Sequence, residues 1–388
     1  MSAARPNAVA VALQRPLLRR ALLVAVVVTH VLFVLAPLDV LAPVVAHDIG
    51  QLLLHGNLPY RDFPFEYPPL AGLMFILPGL APAGIADQVL ALQALALELV
   101  VIQVVMRPRG TAVLWRWAVA SLLVFPFLSG GFDAAPMAAL AVATALLAEG
   151  RAAGWWVAAL GTAIKISPGV VWSWARRPFV AGVVAGVVTA VVLLAPLGLA
   201  KRADDAWLGF SQHRGVQVES TAGVTTWLVD QVRGEEPEFV YNQFKSWQIE
   251  GGGVAVVFWI GVAAAGFVVL VIRSGRFGPT DPWLASLAAV CLLLVGLKVF
   301  SPQFVAWATP LAVVLGGRWW RLWLGVLTLT VAAYLVGGNG GGFFLLAAAR
   351  DALVVATAFL AVKDLRSAGP GPLARPTGDR PGAAPRST

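Results

Sequence analysis

Cysteine is nearly absent. Cys291 is the only one in 388 residues, so no intrachain disulfide forms and the redox compartment is left open. Charge is scarce as well: 12% of residues are charged, 59% are hydrophobic and the mean hydropathy is +0.80, which excludes a soluble domain of this length. There is no Asp-x-Asp pair, no Walker loop and no Gly-x-Gly-x-x-Gly after a strand. The usual means of holding a nucleotide or nucleotide-sugar are therefore missing. His47, His55 and His213 lack zinc spacing, so no metal is expected. Without a repeat of fixed period, neither a solenoid nor the duplicated halves of many transporters is indicated.

What is present is apolar sequence in runs long enough to cross a bilayer. The chain reads as an all-α polytopic membrane protein with about 9–12 membrane helices. Residues 1–20, with Arg15, Arg19 and Arg20, form a cytoplasmic segment before an uncleaved first span at 21–38. A membrane domain covers 21–363, with outer loops at about 39–68 and 198–250 and an apolar run at 69–80 too short to span. Spans follow at 85–106, 111–128 and 134–148. Residues 155–174 start and end beside arginines, so they read as a re-entrant hairpin or a pair of half-helices, with Lys165 near the apex of the hairpin. Later spans cover 178–197, 253–273, a run ending at Lys298, 302–315, a run ending at the 337–342 turn, and one ending at Lys363. Residues 364–388, rich in Pro, Gly and Arg, suit a disordered cytoplasmic tail. The net charge of +8 then needs no nucleic acid. About 18 basic residues fall inside and about 13 acidic ones outside, as the positive-inside rule predicts.

Chemistry-bearing residues gather in the breaks between apolar runs. The stretch from Gly56 to Leu70 mixes Tyr60, Arg61, Asp62, Glu66 and Tyr67 with four prolines, and Tyr67-Pro68-Pro69 cannot continue a helix. It reads as a shaped rim at the membrane surface. A second cluster contains His213, Arg214, Gln217 and Glu219, a third Lys298, Ser301, Pro302 and Gln303, and a fourth Lys165-Ile166-Ser167-Pro168. A cation at membrane depth, such as Lys165, normally faces a cavity or a partner. Arg61, Asp62 and Glu66 also suit a local ion-pair arrangement. Trp227 and Trp247 in the outer loop are candidates for stacking on a sugar.

These four motifs, in this order, resemble the GT-C membrane glycosyltransferases and more narrowly glycosyltransferase family 87, over roughly residues 20–365. The resemblance implies a helical bundle in the plasma membrane with a cavity open to the outer face. It also implies a polyprenyl-phosphate sugar donor, a glycolipid or glycan acceptor, and an acidic base after the first span. Asp39 is the preferred base and Asp48 the other candidate. Sugar transfer from a lipid phosphate needs a base for the acceptor proton and positive charge for the departing phosphate. One carboxylate suffices for inverting displacement. Arg61, Arg214 and Lys298 are candidates for the phosphate, since guanidinium and ammonium both bind its oxygens. No cofactor is called for. The competing reading is a transporter or flippase that uses the same charges.

Overall fold

The computed structural model describes residues 16–37, 43–200, 206–209, 214–241, 246–275, 278–337 and 340–367. Asp39, His213 and nearly all of the expected tail lie outside them. The membrane helices are α1 (Pro16–Leu35), α4 (Ala86–Val101, continued to Arg109 by π and 3-10 turns), α5 (Thr111–Ser129), α6 (Ala134–Ala148), α7 (Ala153–Ile164), α8 (Phe179–Leu194), α10 (Gly253–Ser274), α11 (Pro282–Gly296), α12 (Val305–Leu315), α13 (Gly317–Val336) and α14 (Gly341–Asp364). Two short helices, α2 (Pro43–Leu54) and α3 (Leu73–Leu80), and one loop helix, α9 (Thr221–Arg233), are also present among the described residues. Among the described residues, six helical segments are long and apolar enough to cross a membrane, and six more are shorter apolar helices. The all-α polytopic architecture is therefore established.

Burial sorts the helices into layers. Most residues of α11 and the first nine of α12 are buried, so these form the centre, with α6 beside them. By contrast, α8 and α10 keep only 17% and 11% of their apolar windows covered. They are the faces that lipid must cover. His30 of α1 pairs with Glu98 of α4 at 2.9 Å, and Ser121 and Trp117 of α5 both donate to the same carboxylate. This buried cluster fastens the first span to its neighbours, because separating the pair would leave an ionisable group in hydrocarbon.

The hairpin expected at 155–174 is present. Helix α7 stops at Ile164, the chain turns at Lys165, and it returns as a 3-10 run at Ser167–Ser173. The ring of Trp155 lies 5.5 Å from that of Trp172, and a Cβ on Gly161 would meet Pro168. The two arms thus lie side by side, and both ends come back to the arginine-rich side.

That side gathers Arg107, Arg109, Arg151, Arg176, Arg177, Arg273, Arg318 and Lys363. It is stitched across the bundle: Arg109 lies 4.5 Å over the Trp283 ring, Arg318 pairs with Asp364, and Thr280 N donates to the Arg366 carbonyl at 2.9 Å. The opposite end carries the rim, Asp133, the long loop between α8 and α10, and Lys298. In that loop, β1 (Val216–Gln217), β2 (Phe239–Tyr241) and β3 (Trp247–Ile249) form an antiparallel sheet in the order β1-β3-β2. Helix α9 is capped by Ser220, which accepts from Gly223 N, and ends at left-handed Gly234. Neither the sheet nor α9 was expected from the polar composition of this loop.

Candidate functional site

The rim is held rigid from within. Gly56 closes α2 with φ +80°, and Asp62 then accepts from Leu58 N at 2.8 Å while its own N–H returns to the Leu58 carbonyl. Tyr60 has φ +68°, a region costly for a residue with a Cβ. It is 1% exposed, and its hydroxyl donates to the Tyr67 carbonyl at 2.5 Å. Rings of Phe63, Tyr67 and Phe75 each meet the Phe65 ring edge to face, the Tyr60 ring meets it at a tilt, and Tyr67 also meets Phe132 at 4.7 Å. Aromatic packing thereby locks the rim to the α5–α6 turn.

Inside the rim is a cavity of about 190 Å³. Its walls are Glu66, Tyr67 and Pro68 from the rim, Lys165 and Ile166 from the hairpin, Trp207 and Arg214 from the outer loop, and Leu297, Lys298, Val299, Phe304 and Trp307 from the α11–α12 connection and α12. Three cations and one carboxylate thus share a single space. Arg214 stands 3.5 Å from Glu66. Burial, and next the neighbouring Arg214, lower the pKa of Lys298. Burial, followed by the Glu66 carboxylate that accepts its hydrogen bond, pushes the Tyr67 hydroxyl well up. The hydroxyl stays protonated and acts as a donor.

Lys165 forms the floor. Its Nζ donates to Asp133 Oδ1 at 2.8 Å and lies 4.3 Å from the Phe304 ring centre, with Phe132 and Trp307 close by. Asp133, 2% exposed, also accepts from Trp307 Nε1 at 2.9 Å. An ammonium among three aromatic faces with one carboxylate is fixed in place and retains an open side.

Sequence reasoning passed over Asp133. The signal lay in Gly130-Gly131-Phe132-Asp133, where an acidic residue ends a tight turn between two apolar runs on the same side as Lys165. The other expected site residues divide. Glu66, Tyr67, Lys165, Arg214 and Lys298 line the cavity. Tyr60, Arg61 and Asp62 build the rim, with Arg61 pairing to Asp62 at 2.7 Å. Gln217 is buried, donates its N–H to the Lys298 carbonyl at 2.9 Å and hydrogen-bonds Ser301. It orients the Lys298 segment. Gln303 follows in the 3-10 turn that opens α12. Glu219 lines a separate cavity, and Asp48 is exposed on α2 beside His47. Trp227 is occupied by Phe344, stacked at 4.8 Å, so that face is closed to a sugar. A larger apolar opening of about 810 Å³ lies between α1, α4 and α5, where His30 and Glu98 are bonded to each other.

An apolar groove of about 430 Å³ begins beside the floor. Ile164 and Ala135, close in sequence to Lys165 and Asp133, mark its upper end, and Val157, Val142 and Val100 continue it along α7, α6 and α4. A polar cavity with three cations is therefore joined by sequence neighbours to a lipid-facing groove. A family model described as glycosyltransferase family 87 matches residues 65–302, a span that holds Glu66, Asp133, Lys165, Arg214 and Lys298. No curated protein and no solved structure matches the chain.

Proposed function

Because the chain belongs to glycosyltransferase family 87, we propose that this multi-pass membrane glycosyltransferase takes its sugar, mannose in the first instance, from a polyprenyl phosphate. The acceptor is a glycolipid or glycan at the outer face of the plasma membrane. The observation that carries this reading is the meeting of Lys165, Arg214 and Lys298 with Glu66 in one cavity. Three cations in one small space suit an anion, and an anion that departs from the anomeric carbon as a phosphate monoester gains most from them as its charge develops. The adjoining groove suits the donor's hydrocarbon chain.

In this mechanism Arg214 and Lys298 hold the phosphate oxygens, and Lys165 approaches from below. The acceptor hydroxyl attacks the anomeric carbon from the face opposite the phosphate, the C–O bond to phosphate breaks, and a carboxylate takes the hydroxyl proton. Glu66 is the carboxylate that lines the cavity. Asp39 and Asp48 are the candidates from sequence, and Asp133 is committed to Lys165 and Trp307.

The test is sugar transfer in proteoliposomes supplied with radiolabelled polyprenyl-phosphate mannose and a membrane-lipid extract. Transfer that fails with Lys298→Ala and Arg214→Ala, in proteins that still fold, supports the phosphate roles. A parallel series of Asp39→Asn, Asp48→Asn, Glu66→Gln and Asp133→Asn identifies the base. Transfer only from a nucleotide-sugar would sink the lipid-donor reading.

A further inference from the structure

Behind the Lys298 segment the fold encloses a second cavity, of about 160 Å³, that shares no lining residue with the first. Glu219 and Arg350 supply its charge, and Val218, Trp247, Pro302 and Phe343 are among its apolar walls. The hydrogen-bonded pair Gln217 and Ser301 belongs to the same two segments and stands between the cavities in sequence.

Arg350 is already engaged. Its Nε donates to Asp351 Oδ1 at 2.9 Å, a second nitrogen donates to the Glu219 carbonyl, and the guanidinium lies 4.3 Å over the Phe300 ring. The carboxylates are not so well served. Glu219 Oε2 and Asp351 Oδ2 are buried, and neither has a hydrogen-bond partner among the described residues. Buried acceptors normally find donors. The transfer reaction proposed above uses neither group.

The occupant that fits is neutral and rich in hydroxyls. An anion would face the Glu219 carboxylate, and a cation would face Arg350. A hydroxyl can donate to Glu219 Oε2 while Trp247 and Pro302 accept the C–H face of a ring. The volume corresponds to roughly five waters of liquid, which is far more than one bridging water needs and about the room of one six-membered sugar ring.

We propose that this cavity binds a sugar unit of the acceptor glycan beyond the unit that receives transfer. Glu219 accepts its hydroxyl hydrogens and Trp247 packs against its ring. The assignment rests on the reading of the chain as a transferase with a glycan acceptor. It gives the enzyme a preference for acceptors of two or more units.

The test uses the full chain in nanodiscs with the methyl glycosides of mannose, mannobiose and mannotriose. Saturation-transfer NMR reads which rings touch the protein, and transfer from polyprenyl-phosphate mannose is measured on the same three acceptors. Wild type is expected to prefer the longer acceptors, with saturation on the added rings. Glu219→Gln should weaken that preference about tenfold, the scale of one charged hydrogen bond. Ala333→Leu fills the same cavity without touching the charged cluster, and should act alike if Glu219→Gln fails to fold. An unchanged length preference in both variants overturns the subsite and leaves the transferase reading standing. Binding of none of the three sugars by wild type overturns the glycan-acceptor reading, and the subsite falls with it.

Discussion

At the scale of single residues, the Lys165–Asp133 pair is the tightest link between stability and chemistry. Removing one partner strands the other at 14% or 3% side-chain exposure, so Lys165→Met should cost about 3–5 kcal/mol of stability. Lys165→Met with Asp133→Leu should recover much of that cost, as measured by thermal unfolding in detergent, while transfer stays abolished. Equal stability of the single and double variants would show that the pair is solvated. Glu219 gives a pH signature. Burial, partly opposed by Arg350 and reinforced by Asp351, raises its pKa from 4.5 to about 7. The folded state then binds more protons than the unfolded state between those values, so stability present below pH 4.5 is lost as pH rises through about 7. Glu219→Gln should flatten that part of the melting-temperature profile. The charged cavity residues were legible in the sequence because Lys165 interrupts an apolar run and Glu66, Arg214 and Lys298 stand in the breaks between such runs. Asp133 was not, since a tight turn between spans looks like ordinary boundary chemistry until Lys165 is placed opposite it.

At the scale of elements, the crossing of α2 and α3 depends on two glycines. A Cβ on Gly79 would stand 2.6 Å from the Gly50 Cα, which no rotamer change relieves. Gly50→Ala should therefore destabilise the protein by roughly 1–3 kcal/mol and lower transfer, because these helices flank the rim. Normal stability and activity in that variant would mean that the two helices separate freely. The helices themselves were read from sequence to within a few residues, since hydrophobic length is a strong signal. The hairpin was legible for a related reason: Lys165 and Pro168 break the run, and arginines mark both ends. The sheet was not legible. Strands of two or three residues are too short to display alternation, and the partner of β1 lies about 30 residues away, from Gln217 to Gln248.

For the whole molecule, charge is divided between the two ends of the bundle, and the proposed orientation follows from that division. Cys291 is buried, so introduced cysteines report without background. Asn57→Cys and Glu235→Cys should react with an impermeant thiol reagent in intact cells, and Arg151→Cys only after permeabilisation. The opposite pattern would turn the molecule over and place the site in the cytoplasm.

The shortness of α7 has an electrical consequence in that orientation. Twelve residues rise about 18 Å from the basic end, so the Lys165 ammonium lies some way inside a hydrocarbon layer of about 30 Å. A donor phosphate drawn to it enters roughly two-fifths of the transmembrane field, up to about 1 kcal/mol per charge for each 100 mV. A negative interior opposes that entry, so the apparent affinity for the proposed donor should weaken as proteoliposomes are polarised.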